Sequence, residues 1–139
     1  MDKLNLLKVY YSVILPSAEY CSVVYGPLIP AYISDELEAV QKRAIKIIYG
    51  NNVDYEDMIR TGSLVSLRER REKKSLQFAL KAANDPRFGN RWFERNEVER
   101  NARTTTRRTY REENYRTERA KSNPLQFMIR QLNNHYINI

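Results

Sequence analysis

SDELEAVQKRAIKIIYG, residues 34 to 50, reads as one helix with a start, a buried face and a stop. Ser34 suits an N-cap, and Asp35, Glu36 and Glu38 place negative charge at the positive end of the helix dipole. Gly50 accepts the positive φ with which many helices end. Leu37, Val40, Ala44, Ile47 and Ile48 recur at three- and four-residue spacing and form one apolar stripe. Lys42, Arg43 and Lys46 point away from that stripe, near the end where cations are favoured. Such a helix requires partner helices along one side and leaves a charged surface on the other.

The residues before it supply a partner. Leu4, Leu7, Tyr11, Ile14 and Leu15 make a second helical stripe, widened by Leu6, Val9 and Val13 until the segment is apolar nearly all round, which predicts deep burial. Pro16 is expected to end or kink this helix, since it lacks an N–H and clashes with the preceding turn. A short helix over residues 17–25 follows, stopped by Gly26-Pro27 and Pro30. Tyr10, Tyr11, Tyr20, Tyr25 and Tyr32 read as core-lining rings with hydroxyls at the rim.

On the C-terminal side, Asp54 can cap a short helix running to Thr61, closed by Gly62. Ser66-Leu67-Arg68-Glu69 has the form of a capping box and opens a long helix from Leu67 to about Asn84. Its apolar face carries Leu67, Leu76, Phe78, Ala79, Leu80, Ala82 and Ala83, and its first half carries Arg68, Arg70, Arg71, Lys73 and Lys74. Asp85-Pro86-Arg87-Phe88-Gly89 reads as a loop, with Trp92 and Phe93 packing back onto the helices. Residues 101–121 contain no Leu, Ile, Val, Phe, Met or Trp, and hold seven cations against three acids. A segment so poor in apolar side chains cannot offset its ordering entropy by burial, so it is expected to be extended or disordered. A last helix starts at Pro124, with Leu125, Met128, Ile129, Leu132 and Tyr136 on one face.

The 139 residues suit one domain, and the net charge of +7 is unevenly spread. Residues 1–84 hold 12 Lys/Arg against 10 Asp/Glu, whereas residues 85–139 hold 12 against 7. A basic appendage on a nearly neutral core points to a polyanionic partner. No apolar run approaches the roughly 18 residues of a membrane span. A single cysteine, Cys21, excludes an internal disulfide and fits a reducing compartment, and the chain reads as soluble and intracellular, nuclear or cytoplasmic left open.

Chemistry is hard to place. Two-metal catalysis needs converging carboxylates, and Asp35, Glu36, Glu38, Asp54, Glu56 and Asp57 all sit where helix capping explains them. There is no Asp-Asp pair and no Gly-rich phosphate loop, and Cys21 with His135 as the only base or second ligand makes neither a nucleophile pair nor a zinc site. The expectation is a protein that is no enzyme by itself and carries no cofactor or metal. Binding remains. Arg68, Arg70, Arg71, Lys73 and Lys74 form either a solvated or a functional helix face. Arg103, Arg107, Arg108, Arg111, Arg116 and Arg119 alternate with Thr and Tyr, a mixture able to bond phosphates and stack on bases, with a simple linker as the alternative.

These residues also carry a family resemblance. The run from Leu7 through Tyr10-Tyr11, Leu15-Pro16 and Glu19-Tyr20-Cys21-Ser22, followed by Leu37-Glu38-Ala39-Val40-Gln41-Lys42-Arg43-Ala44, resembles the region just after the palm in non-LTR retrotransposon reverse transcriptases of the jockey-like kind. Tyr55-Glu56-Asp57-Met58 and Leu67-Arg68-Glu69-Arg70-Arg71 are similar to the segments that come next. Asp85-Pro86-Arg87-Phe88, Trp92-Phe93, Asn123-Pro124-Leu125 and Arg130-Gln131-Leu132-Asn133 resemble the C-terminus of some of these polyproteins. Tyr25 departs from the pattern, where Trp is commoner. The resemblance implies that residues 1–50 correspond to the helical thumb that grips a template–primer duplex. The catalytic palm would lie upstream, and RNA-directed DNA synthesis would be the parent activity, of which this chain keeps only the grip.

The resulting expectation is an all-α fold: a helical, thumb-like bundle over residues 1–84, a basic and partly disordered extension over 85–121, and a C-terminal amphipathic helix over 122–139. Its partners are RNA or an RNA–DNA hybrid, held without sequence specificity by Lys42, Arg43, Lys46, the Arg68–Lys74 cations and the six arginines of the extension, with the palm domain or a second copy as partners for apolar faces. The alternatives are a helical protein-interaction module docking through Leu125, Met128, Ile129 and Leu132, and a transposon remnant without a selected function.

Overall fold

Lys3–Val9 (α1) and Leu15–Glu19 (α2) are joined without a break by a wider π-helical turn, Tyr10–Ile14. The cause is Pro16. In a regular helix its ring would press on the carbonyl of Ser12; here the Leu15 N–H instead reaches five residues back to the Tyr10 carbonyl, and the widened turn makes room. The helix therefore continues past the proline to Glu19, and the break comes at Tyr20–Cys21, where Cys21 adopts a φ of 53°. The computed structural model describes residues 2–96 and 109–137, and among these the named elements are all helical.

The chain divides into two compact units, Met1–Ser22 with Ile29–Lys73 and Val23–Leu28 with Lys74–Ile139. In the first, Ala31–Tyr49 (α4) is the long central helix. It begins three residues before Ser34, after an extended Pro30, so Ser34 lies one turn inside and does not cap. Its end is as read: Gly50 has a φ of 88° and its N–H bonds the Lys46 carbonyl at 2.9 Å. The buried stripe is rotated by one residue from the expected one. Gln41, Ala44, Ile45 and Ile48 face inward, whereas Val40 is 53% and Ile47 62% exposed.

Asp54 caps Tyr55–Arg60 (α5) by accepting from the Glu56 N–H at 3.1 Å, and Gly62 follows with a φ of 73°. Leu67–Asn84 (α6) starts where Ser66 Oγ accepts from the Glu69 N–H at 3.1 Å. The first core is Tyr10, Leu15, Ala44, Ile45, Ile48, Tyr55 and Leu67. Leu4, Val9, Tyr11 and Val13 remain exposed, so the N-terminal segment is a surface helix with one buried side and is not deeply buried all round.

The second unit is built on the C-terminal part of α6, with Ser22–Tyr25 (α3) contributing Val23. Its core joins Ala79 and Ala82 to Phe93, Tyr110, Met128, Ile129 and Leu132, the last three from Pro124–Ile137 (α9). Gly89–Trp92 (α7) lies against the end of α6, and a Cβ at Gly89 would sit 2.4 Å from the Ala83 carbonyl oxygen, which is why this position has no side chain. Glu118–Lys121 (α8) precedes α9. One isolated bridge pairs Arg95 with Tyr110.

Two expectations are corrected here. The boundary between units falls inside α6, at Lys73 and Lys74, and not at residue 84, because the second half of that helix buries its apolar face against α9 and Phe93. Of the stretch expected to be extended or disordered, residues 101–108 lie outside the described residues. Tyr110, however, is buried, and both its backbone groups bond the Asn133 side chain.

Candidate nucleic-acid interface

Under the cationic surface of the first unit lies a buried polar network that fixes α4 in place. Gln41 Nε2 donates to Tyr10 Oη at 3.0 Å and to the Val65 carbonyl at 3.1 Å. Tyr55 Oη donates to Glu38 Oε1 at 2.5 Å and, more weakly, to Gln41 Oε1 at 3.2 Å. Glu38 Oε1 also accepts from the Leu67 N–H at 3.2 Å, at the head of α6. Four elements thus meet on two adjacent turns of α4, and the face opposite them is held at a fixed phase to solvent.

The side of α4 turned away from Gln41 carries Arg43 and Lys46, whereas Lys42, one turn after Glu38, lies on the flank that Glu38 shares. Arg43 and Lys46 are exposed, and Lys42 lies 5.7 Å from the Tyr55 ring centroid and 3.7 Å from Glu56 Oε1. Positions 42 and 46 are separated by about 6 Å of helix rise, so the three cations occupy little more than one turn. Lys3, which the sequence reading did not single out, sits 4.1 Å over the Tyr49 ring at the end of the same helix. Its signal was the Tyr49 ring beside an N-terminal cation, visible only once α1 packs on α4.

The α6 cations do not act as one group. Arg68 is exposed and 3.6 Å from Glu72, and Lys73 is exposed. Arg70 turns inward to an ion pair with the buried Glu19, which holds its guanidinium pKa above the ordinary value. Arg71 is 5% exposed and donates to Ser34 Oγ at 2.6 Å. Helical phase explains the difference: residues 67, 71 and 75 repeat at four-residue spacing, and Leu67 and Ser75 are both buried. Arg71 is therefore an internal brace of the fold and Arg70, partly exposed, is tied down to Glu19, which corrects the reading of both as members of one solvent-facing patch. Arg68 lines a cleft of about 180 Å³ with Asp35, Glu38 and Glu56, whose three carboxylates disfavour a phosphate there.

In the second unit, Lys74, Arg111, Arg116 and Arg119 are exposed, and Arg111 Nη1 is 3.3 Å from Glu94 Oε2. Arg103, Arg107 and Arg108 lie outside the described residues. Beside these, Arg87, Phe88 and Trp92 form an aromatic and cationic cluster, with Arg91 exposed next to Trp92 in the chain; the signal available was two arginines and a phenylalanine just before the only tryptophan.

Burial, seconded by the Glu38 carboxylate, raises the Tyr55 pKa well above its ordinary value of 10.0. A phenol whose folded pKa exceeds its unfolded one adds stability that is complete below the unfolded pKa and fades as pH rises past it. Denaturant midpoints are therefore expected to fall from about pH 10 upward, where the unfolded tyrosine ionises. Tyr55→Phe should flatten that fall; a variant with the same alkaline slope as the parent would refute this account.

Among the described residues no group of three or more His, Cys, Asp or Glu side chains is placed to hold a metal ion, and no helix is long and apolar enough to cross a membrane. The chain matches no protein-family model, no curated protein and no solved structure.

Proposed function

We propose that this chain binds the backbone of RNA or of an RNA–DNA hybrid without reading its sequence, and that it performs no chemistry itself. The observation that supports the reading is the surface of α4. Arg43 and Lys46 are exposed within one turn, with the partly buried Lys42 beside them next to Tyr55 and Glu56, on a helix whose buried side is locked by Gln41 and Glu38. Rigidly spaced cations with no pocket for a base edge suit phosphates, which are alike in every sequence. The resemblance of residues 7–22 and 35–44 to the post-palm segment of non-LTR reverse transcriptases supports the same occupant, a template–primer duplex.

Anisotropy of a labelled RNA–DNA hybrid at several salt concentrations tests this. The log–log slope should be about −0.9 per phosphate neutralised, on the B-form guide, and the triple variant Lys42→Glu, Arg43→Glu, Lys46→Glu should remove two to three contacts from it. Binding by the parent chain with a slope that the triple variant leaves unchanged would exclude α4 as the contact.

One observation favours a second reading, a protein-interaction module. Leu4, Leu7, Lys8, Tyr11 and Ser12 line an open apolar hollow of about 540 Å³. The stripe first considered for that role, Leu125, Met128, Ile129 and Leu132, is taken up by the core of its own unit. Sedimentation across a concentration series, with Tyr11→Glu as the comparison, separates self-association through this hollow from nucleic-acid binding.

A further inference from the structure

Phe88, Trp92 and Phe93 follow one another closely in sequence but do different work. Phe93 is buried in the second core, whereas Phe88 and Trp92 are outside it. The ring of Phe88 stacks on Trp92 with centroids 4.7 Å apart and planes at 29°, and the Trp92 residue remains 38% exposed. The Arg87 guanidinium lies 5.3 Å from the Phe88 centroid. Asp85 fixes that guanidinium by accepting from Arg87 Nε at 3.1 Å and Nη2 at 2.9 Å. Close approach at Gly89 and the Trp92 N–H bond to the Phe88 carbonyl, 2.8 Å, fix the backbone beneath the stack. Arg91 is exposed beside Trp92.

A Trp–Phe pair serving only as an anchor would be covered, and here the anchoring is already done by Phe93. What remains is an arginine–phenylalanine–tryptophan array whose tryptophan stays partly exposed, with a second, exposed arginine next to it in the chain. We propose that this array is a landing platform for an unpaired base of single-stranded nucleic acid, the base stacking on Trp92 and the adjoining phosphate meeting Arg91. A planar π-face suits any base, and cations beside it suit the phosphate that every nucleotide carries. The proposal rests on the reading of the chain as a nucleic-acid binder and adds a contact to bases, which the α4 surface does not make.

Trp92 is the only tryptophan, so its fluorescence reports this position alone. The full chain is titrated with a single-stranded oligo(U), with an abasic sugar–phosphate oligomer of the same length and with an acidic polypeptide, while anisotropy of labelled oligomers measures binding independently. Saturable quenching by oligo(U) alone is expected. Trp92→Ala should weaken oligo(U) binding by about 5- to 150-fold and leave the abasic oligomer's affinity unchanged, and Trp92→Phe should recover most of the loss. Thermal melts by circular dichroism check that both variants are folded. Binding of oligo(U) without quenching, with Trp92→Ala binding as well as the parent, overturns the platform and leaves backbone binding intact. Equal quenching by the acidic polypeptide also overturns it, in favour of an acidic protein partner. No binding of any nucleic acid overturns both this inference and the reading it rests on.

Discussion

Gln41→Leu is expected to destabilise the first unit by about 2–5 kcal/mol, although leucine fills nearly the same volume. The side chain is 1% exposed, and its two N–H groups satisfy Tyr10 Oη and the Val65 carbonyl. Leucine leaves the buried Tyr10 Oη and the partly buried Val65 carbonyl without that donor, and each orphaned group costs about 1–3 kcal/mol. Gln41→Glu should be no better. It restores an acceptor, but it removes both donors and adds a negative charge one turn from Glu38, in surroundings that already hold the Tyr55 proton tightly. Hydrogen exchange of α4 and α5 peptides in denaturant reads this unit directly, which Trp92, lying in the other unit, does not. A Gln41→Leu change within about 0.5 kcal/mol of the parent would be ordinary for an exposed site and would deny the network its structural role.

The same residue shows what could and could not be read in advance. An apolar stripe is found by counting apolar residues, which includes Val40 and Ile47 and omits Gln41. The true stripe includes a glutamine because its amide is matched by a tyrosine on the N-terminal helix and a carbonyl before α6, partners that exist only after folding. Local signals fared better, because they depend on neighbours in sequence alone. Gly50 at the end of α4, Asp54 before α5, Ser66 before α6 and Pro124 at the start of α9 all act where they were placed. The all-α class follows from those signals. For the candidate interface, the exposure of Arg43 and Lys46 is legible because they lie away from the apolar stripe, whereas Lys42 packs partly against Tyr55. The placement of Arg70 and Arg71 is not legible, because charge type says nothing of helical phase and their partners Glu19 and Ser34 are 51 and 37 residues away.

In the second unit Asn133→Ala should have a comparable effect, about 2–5 kcal/mol, since it orphans two buried backbone groups at once. Asn133 Oδ1 accepts from the Tyr110 N–H at 2.8 Å and its Nδ2 donates to the Tyr110 carbonyl at 3.1 Å, so the amide pairs with this peptide much as a neighbouring strand would. Seven residues earlier on α9, the buried Gln126 accepts from the Glu113 N–H at 3.3 Å through Oε1. Two helical turns advance about 10.5 Å, and three residues of extended chain span about 10 Å, so the two amides match residues 110 and 113 in spacing. Through them α9 holds a segment that has almost no apolar side chains, which explains how residues 109–115 order despite a composition that argued against it. The same pairing keeps Arg95 and Tyr110 in register, with Asn96 N–H bonded to the Thr109 carbonyl at 3.0 Å on one side and Arg111 N–H to Glu94 at 2.8 Å on the other. Asn133→Asp separates the two halves of the clamp: its carboxylate still accepts from the Tyr110 N–H but faces the Tyr110 carbonyl with no donor. Both variants should lower the denaturant midpoint read by Trp92 fluorescence, and both should speed hydrogen exchange at residues 110–113. Should Asn133→Asp match the parent in both readouts, the carbonyl half carries no stability; should Asn133→Ala match it as well, packing of Tyr110 alone orders the segment and the clamp is incidental.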